Sequence, residues 1–158
     1  MTAAKTPVFQ ARDVPETNAS RYPTPFRPGV EKRHSRRLGD HAGLVNYGVN
    51  LVRMEPGAIS SQRHWHSRQD EFVYMLEGEL VLETDAGSQI LTPGMCAGFP
   101  ANNGDGHRLV NRSAREAHYL VVGDRLPGDE VDYSDIDMLL RRGPDGATRF
   151  VRKDGTPY

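Results

Sequence analysis

Apolar and polar positions alternate in short segments between Gly39 and Val122, and glycine- or proline-containing turns separate these segments. Successive side chains of a strand point to opposite faces, so this alternation predicts β-strands. No long stretch before Gly123 has the periodicity of a helix. Many short strands joined by tight turns are typical of an all-β sandwich or barrel. We predict strands over residues 44–54, 59–66, 71–76, 79–84, 88–92, 95–99, 108–111 and 116–122.

The two ends of the chain differ from this central part. Prolines recur from Pro7 to Pro28, and proline lacks a backbone donor, so we predict an extended or irregular arm that can contribute an edge strand. Beyond residue 123 we predict a tail that packs on the barrel, with one short helical turn between Tyr133 and Leu140. The predicted organisation is therefore an arm over residues 1–40, a β-sandwich or β-barrel over 41–123 and a tail over 124–158.

Composition narrows the class of protein. A chain of 158 residues is long enough for one hydrophobic core but too short for two ordinary domains. The formal net charge of −1 favours neither nucleic acid nor a membrane as a partner, and we interpret the basic run 31–37 as a solvated loop or face. The single cysteine, Cys96, cannot form an internal disulfide, and the N-terminus lacks an apolar run. These features predict a cytoplasmic protein.

The candidate chemistry centres on one predicted hairpin. His64 and His66 are two residues apart in a predicted strand, so both imidazoles point to the same side and can bind one ion. Residues 67–70 form the predicted turn, and Glu71 begins the return strand. Its carboxylate can then meet the two histidines across the strand pair. A fourth candidate, His107, follows a glycine-rich loop and begins a later strand.

These two blocks resemble the two motifs of the cupin family. The first block runs from Gly57 to Gly78 and contains His64-Trp65-His66 and Glu71, in the order of the first cupin motif. The second block runs from Gly94 to Asn111 and resembles the second motif, although residues 101–106 make it longer than the usual spacing. Segments outside the motifs, including the C-terminal Asp-Gly-Thr-Pro-Tyr, also resemble a group of bacterial single-domain cupins.

The resemblance implies a fold, a ligand set and an assembly. The fold is an all-β, antiparallel double-stranded β-helix, the jelly-roll or cupin barrel. The implied metal ligands are His64, His66, Glu71 and His107. Cupins commonly form homodimers, and the N-terminal arm can either add a strand to the partner's sheet or cover its own barrel. Three imidazoles and a carboxylate suit one divalent transition metal, namely Fe, Mn, Zn, Ni or Co.

Alternation of faces predicts which other residues line the cavity beside the metal. Ser60 and Gln62 precede His64 at even spacing, while Val73 and Met75 follow Glu71. A small-molecule ligand is the expected partner. An iron site favours a dioxygenase, whereas the other metals favour a Lewis-acid isomerase or lyase acting on a carbonyl or enol, with Glu71 as the catalytic residue. A non-catalytic binding or sensor module with the same metal site is the alternative.

Overall fold

A computed structural model describes residues 7–143 and 145–158, so the first six residues of the predicted arm lie outside the described part. Among the described residues the only α-helix is the short α1, Leu38–Ala42, and three single 3-10 turns span Ala11–Asp13, Thr24–Phe26 and Val30–Lys32. The rest of the regular structure is strand. The strands are β1 (Glu16–Thr17), β2 (Arg33–Arg37), β3 (Tyr47–Met54), β4 (His64–His66), β5 (Glu71–Glu77), β6 (Leu80–Thr84), β7 (Gly87–Leu91), β8 (Cys96–Phe99), β9 (Arg108–Val110), β10 (Ala117–Asp124), β11 (Val131–Tyr133), β12 (Met138–Arg142) and β13 (Thr148–Val151).

The strands form three antiparallel sheets. The largest has six strands in the order β1-β2-β3-β10-β5-β8, a second has four in the order β13-β12-β11-β4, and a third has three in the order β7-β6-β9. Every strand pair in them is antiparallel. The predicted all-β, antiparallel class is therefore confirmed.

The main core lies between the six-stranded and the three-stranded sheets. In β5 the inward side chains Val73 and Met75 are buried, while Phe72, Tyr74 and Leu76, which alternate with them, are exposed. The opposing sheet contributes Leu80, Leu82 and Leu109 to the same cluster. This alternation is the pattern from which the strand was predicted, and burial of these side chains supplies most of the stabilisation of a small β protein.

The predicted arm supplies two strands at the edge of the six-stranded sheet. β2 pairs with β3 through residues 33–37, and β1 then pairs with β2. The interpretation of the run 31–37 as a solvated loop or face is therefore wrong in part, because residues 33–37 form a paired strand in which Ser35 is buried and Arg33, His34 and Arg36 are half-buried.

The tail does not contain the predicted helical turn. Residues 133–140 instead span the end of β11, a turn and the start of β12. Val131, Tyr133 and Met138 are buried together, and Tyr22 and Phe26 of the arm pack against them. Burial of alternate residues and pairing of β11 with β4 favour strand over helix here. The described helices include none long and apolar enough to cross a membrane.

Candidate metal centre

Two of the predicted ligand positions are joined through their backbones. His64 and His107 form an antiparallel bridge, in which the His107 amide donates to the His64 carbonyl at 2.9 Å and the His64 amide donates back at 3.2 Å. Gly106, directly before His107, packs against Ser134, since a Cβ there would lie 2.0 Å from the Ser134 hydroxyl oxygen. The longer loop before His107 therefore does not displace this residue from the strand that carries His64.

Glu71 begins β5 and lies where the three histidines converge. Its Oε2 is 3.7 Å from Nε2 of His64, 3.6 Å from Nε2 of His66 and 2.9 Å from Nε2 of His107. Gly123 lies opposite Glu71 in the sheet, and a Cβ at this position would be only 3.4 Å from the Glu71 Cγ. The absence of a side chain at Gly123 thus leaves room for the glutamate. The structure brings all four predicted ligands together.

The hydrogen bonds of the histidines determine which ring nitrogen is free. Nδ1 of His64 lies 2.9 Å from the Gln62 carbonyl oxygen, and Nδ1 of His66 lies 2.6 Å from a carboxylate oxygen of Asp129. Both partners accept, so in the neutral rings both Nδ1 atoms donate, and the Nε2 lone pairs face Glu71. The Nε2 lone pairs of His64 and His66 and the Glu71 carboxylate are thus directed at one point with no proton between them. A cation at that point would stabilise this arrangement.

The donor set fits a divalent transition metal. Ligand atoms of His64, His66 and Glu71 all lie within 4.8 Å of one another. Metal–ligand bonds of about 2.1 Å place neighbouring ligand atoms roughly 3.0–3.4 Å apart, close to the separations found here. His107 differs, because its Nε2 is at hydrogen-bonding distance from Glu71 and its buried Nδ1 has no partner among the described residues.

The protonation states of the centre also suit a metal. Burial raises the pKa of the Glu71 carboxyl, but the neighbouring histidines, His107 foremost, outweigh this effect and hold its pKa well below the ordinary value. Burial lowers the pKa of His107, which stacks on Phe99 with ring centroids 3.6 Å apart. An ionised carboxylate and a neutral imidazole are the forms that bind metals.

The centre faces a cavity of about 220 Å³. Of the four residues predicted to line it, Ser60 and Val73 do so, whereas Gln62 and Met75 do not. Residues 60–63 are bent rather than extended, so the alternation of faces fails there. The side-chain Nε2 of Gln62 donates to the Phe26 carbonyl oxygen at 3.0 Å instead of facing the cavity. Met75 is fully buried in the core beyond the cavity.

Several side chains at the site were not singled out from the sequence. Asp129, in the tail, binds His66, while Tyr22 and Arg33 from the arm line the cavity together with Tyr119. Burial raises the pKa of Tyr22 and of Tyr119, so both hydroxyls remain protonated near neutral pH. Residues 33–37 are polar at every position, so the sequence carried no alternation that would have indicated an inward-facing strand there.

Comparison with known proteins places these features in a family. The cupin domain family matches residues 50–123. A crystal structure of a sugar phosphate isomerase from a cupin superfamily, from Silicibacter pomeroyi, is 46% identical, covers 96% of each chain and has a TM-score of 0.91. A structure provisionally named a sugar phosphate isomerase, from Acidithiobacillus ferrooxidans, is 32% identical over 80% of each chain, with a TM-score of 0.72.

A more distant structure adds evidence on the fold alone. The polyketide cyclase RemF from Streptomyces resistomycificus is 22% identical and covers 82% of this chain and 85% of its own, with a TM-score of 0.67. Among proteins with curated descriptions, none matches significantly. The fold and site define a small antiparallel β protein with a histidine and glutamate group able to hold a metal. The chain belongs to the cupin superfamily, as its two motifs predicted.

Proposed function

We propose that this cupin is a divalent-metal-dependent isomerase acting on a phosphorylated sugar, with the metal held by His64, His66, Glu71 and His107. The observation that carries the proposal is the convergence of three imidazole Nε2 atoms within 2.9–3.7 Å of one Glu71 oxygen beside a cavity. Similarity to a sugar phosphate isomerase over 96% of the chain supports an isomerase over the dioxygenase and lyase alternatives.

The chemistry of an aldose–ketose interconversion is compatible with this site. The reaction moves one proton between adjacent carbons and one between their oxygens, so it requires no oxidant or reductant. A bound divalent metal would polarise the sugar carbonyl as a Lewis acid. The chain itself must orient the sugar and move the protons.

Glu71 is the proposed catalytic residue, and its two oxygens have different surroundings. Oε2 faces the histidines, whereas Oε1 lies toward Gly123, 3.7 Å from where a Cβ would be. The low pKa of Glu71 keeps this carboxyl ionised, and we assign proton transfer to the Glu71 carboxylate, which lines the metal cavity. The Ser60 and Ser61 hydroxyls line the same cavity and can bind sugar hydroxyls.

Metal content is the first test. Protein purified without an affinity-metal step is assayed by plasma mass spectrometry, together with a His64→Ala, His66→Ala double variant and a His118→Ala control. His118 lies on β10 beside Glu77 and does not line the cavity. We expect stoichiometric metal in the native protein and the control but not in the double variant. Equal metal in all three would overturn the ligand set.

Turnover is tested separately on metal-loaded protein. Aldose and ketose phosphates are incubated in heavy water, and deuterium incorporation at the first two carbons is followed by NMR. Exchange and interconversion that are lost in Glu71→Gln would support an isomerase. Stoichiometric metal without any exchange or conversion would overturn the enzymatic assignment and favour the non-catalytic binding module instead.

A further inference from the structure

A second cavity of about 220 Å³ adjoins the metal cavity on the side of the arm. Its polar lining comes from the strands β1, β2 and β3, the helix α1 and the residue that follows β10. The charged lining residues are Arg33, Arg37, Arg125 and Asp40, beside the neutral Ser35 and Asn50. Three guanidinium groups and one carboxylate leave this cavity positively charged, which favours an anionic occupant.

The side chain of Arg33 connects the two cavities, because it lines both of them. Strand register explains how. Residues that pair directly across neighbouring strands lie on the same face of the sheet. Following such pairs across the sheet leads from β2 to β5: Arg37 pairs with Asn50, Asn50 with Val121, and Val121 with Val73. Val73 lies two residues beyond Glu71, so the arginine row of β2 and the metal centre share one inward face.

Arg33 differs from the arginines around it in having no carboxylate partner within 4.0 Å among the described residues. Arg37 and Arg125 both lie beside Asp40, and Arg53 binds Glu16 at 2.8 Å. Arg33 is partly buried, and among the described residues its side chain interacts with the hydroxyls of Tyr119 and Tyr22 rather than with a carboxylate. A partly buried cation without a counter-ion is costly unless an anion completes the site.

We propose that Arg33 binds the phosphate group of the substrate, with Arg37 and Arg125 adding positive charge across the second cavity. The identity of the anion rests on the function proposed above. A planar guanidinium binds two phosphate oxygens at once, and Arg is the side chain best suited to this geometry. A sugar phosphate would then span from the arginine cavity to the histidine cluster, and Arg33 would select phosphorylated over free sugars.

Calorimetric binding to metal-loaded protein tests this, with inorganic phosphate, fructose 6-phosphate and fructose as probes. We expect Arg33→Gln to weaken binding of both phosphate probes about tenfold or more and to leave fructose binding and metal content unchanged. Arg37→Gln, at an exposed side chain, should fold normally and produce a smaller loss in the same direction. The control is Arg112→Gln, whose arginine lies on the surface beside Glu83 and should bind phosphate normally.

The outcomes separate this proposal from the proposed function. Unchanged phosphate binding in Arg33→Gln and Arg37→Gln would overturn the phosphate site, even if the native protein isomerises sugar phosphates. Loss of phosphate binding in Arg33→Gln would support the site, even if no isomerisation is found. Competition by acetate as effective as competition by inorganic phosphate would overturn the assignment to phosphate, because a carboxylate would then satisfy the site equally.

Discussion

His66 and Asp129 are joined by a hydrogen bond of 2.6 Å between Nδ1 and a carboxylate oxygen. The same carboxylate accepts from the Arg68 amide at 2.8 Å and from the Ser67 hydroxyl, and only 9% of the Asp129 side chain is exposed. A carboxylate held in this way fixes the histidine ring, keeps the proton on Nδ1 and makes Nε2 a stronger ligand. Asp129 is therefore a positioning residue of the proposed metal centre.

We predict that Asp129→Asn weakens metal binding by about 10–100-fold without unfolding the protein. The amide can still accept from the backbone, but it no longer supplies the charge that polarises His66. Metal affinity is measured by titration against a chromophoric chelator, and folding by circular dichroism. Asp132→Asn, at a partly exposed carboxylate 3.2 Å from Lys153, is the matched control. Equal affinities in both variants would exclude a positioning role for Asp129.

Two glycines with left-handed backbone allow a prediction on stability. Gly78 and Gly94 have φ values of 75° and 88°, but only Gly78 is crowded, since a Cβ there would lie 2.6 Å from the Glu116 carbonyl oxygen. We expect Gly94→Ala to cost about 1 kcal/mol of unfolding free energy from backbone strain. Gly78→Ala should cost about 3 kcal/mol or more, because backbone atoms must also move. Denaturant titration of both variants measures the difference in their unfolding free energies. Similar losses in the two variants would show that backbone strain, and not crowding at Gly78, accounts for the destabilisation.

The hairpin that carries the metal ligands could be predicted because its signals are local. The spacing of His64, His66 and Glu71 follows from strand alternation and one turn, and the structure has these residues converging. Asp129 and Arg33 were not predicted, because they come from the tail and the arm, far along the chain from the residues they adjoin. Gln62 was misplaced because a bend interrupts the alternation just before β4.

The attachment of the arm depends on pH through Glu16. A hydrogen bond from Arg53 lowers the pKa of this carboxyl below its ordinary value of 4.5, and charges on Arg53, Arg36 and His34 add to the effect. Because the pKa of Glu16 is lower in the folded protein than in the unfolded chain, its ionised carboxylate stabilises the folded state fully above pH 4.5. This stabilisation is lost as the pH falls through the folded-state pKa of Glu16. We expect Glu16→Gln to loosen β1 and β2 at neutral pH.

Hydrogen exchange of the residues in β1 and β2 measures this loosening. Amide exchange in Glu16→Gln should be faster than in the native protein at pH 7 and converge with it under strongly acidic conditions. The control is Asp13→Asn, since Asp13 lies in the same arm and has no ion pair among the described residues. Faster exchange in the control as well would attribute the effect to general loss of negative charge in the arm.

The outward face of β5 bears on the predicted homodimer. Phe72, Tyr74 and Leu76 alternate with the buried residues and are 45%, 41% and 46% exposed. Contiguous exposed apolar side chains of this kind are typical of a protein interface, and two copies of one sheet face can pack symmetrically. We expect the native protein to be a dimer by size-exclusion chromatography with light scattering, and Tyr74→Lys, Leu76→Lys to be a monomer that retains its metal.

The matched control for this surface is Val45→Lys, because Val45 is 76% exposed in the loop before β3 and does not lie on the face of β5. Lysine at that position adds one positive charge, against two in the double variant, and places it outside the proposed interface, so the dimer should persist. Dissociation in both proteins would mean that net charge, rather than the β5 face, governs assembly. A native protein that is monomeric at all concentrations would rule out the homodimer itself, and the exposed apolar row would then require a different partner.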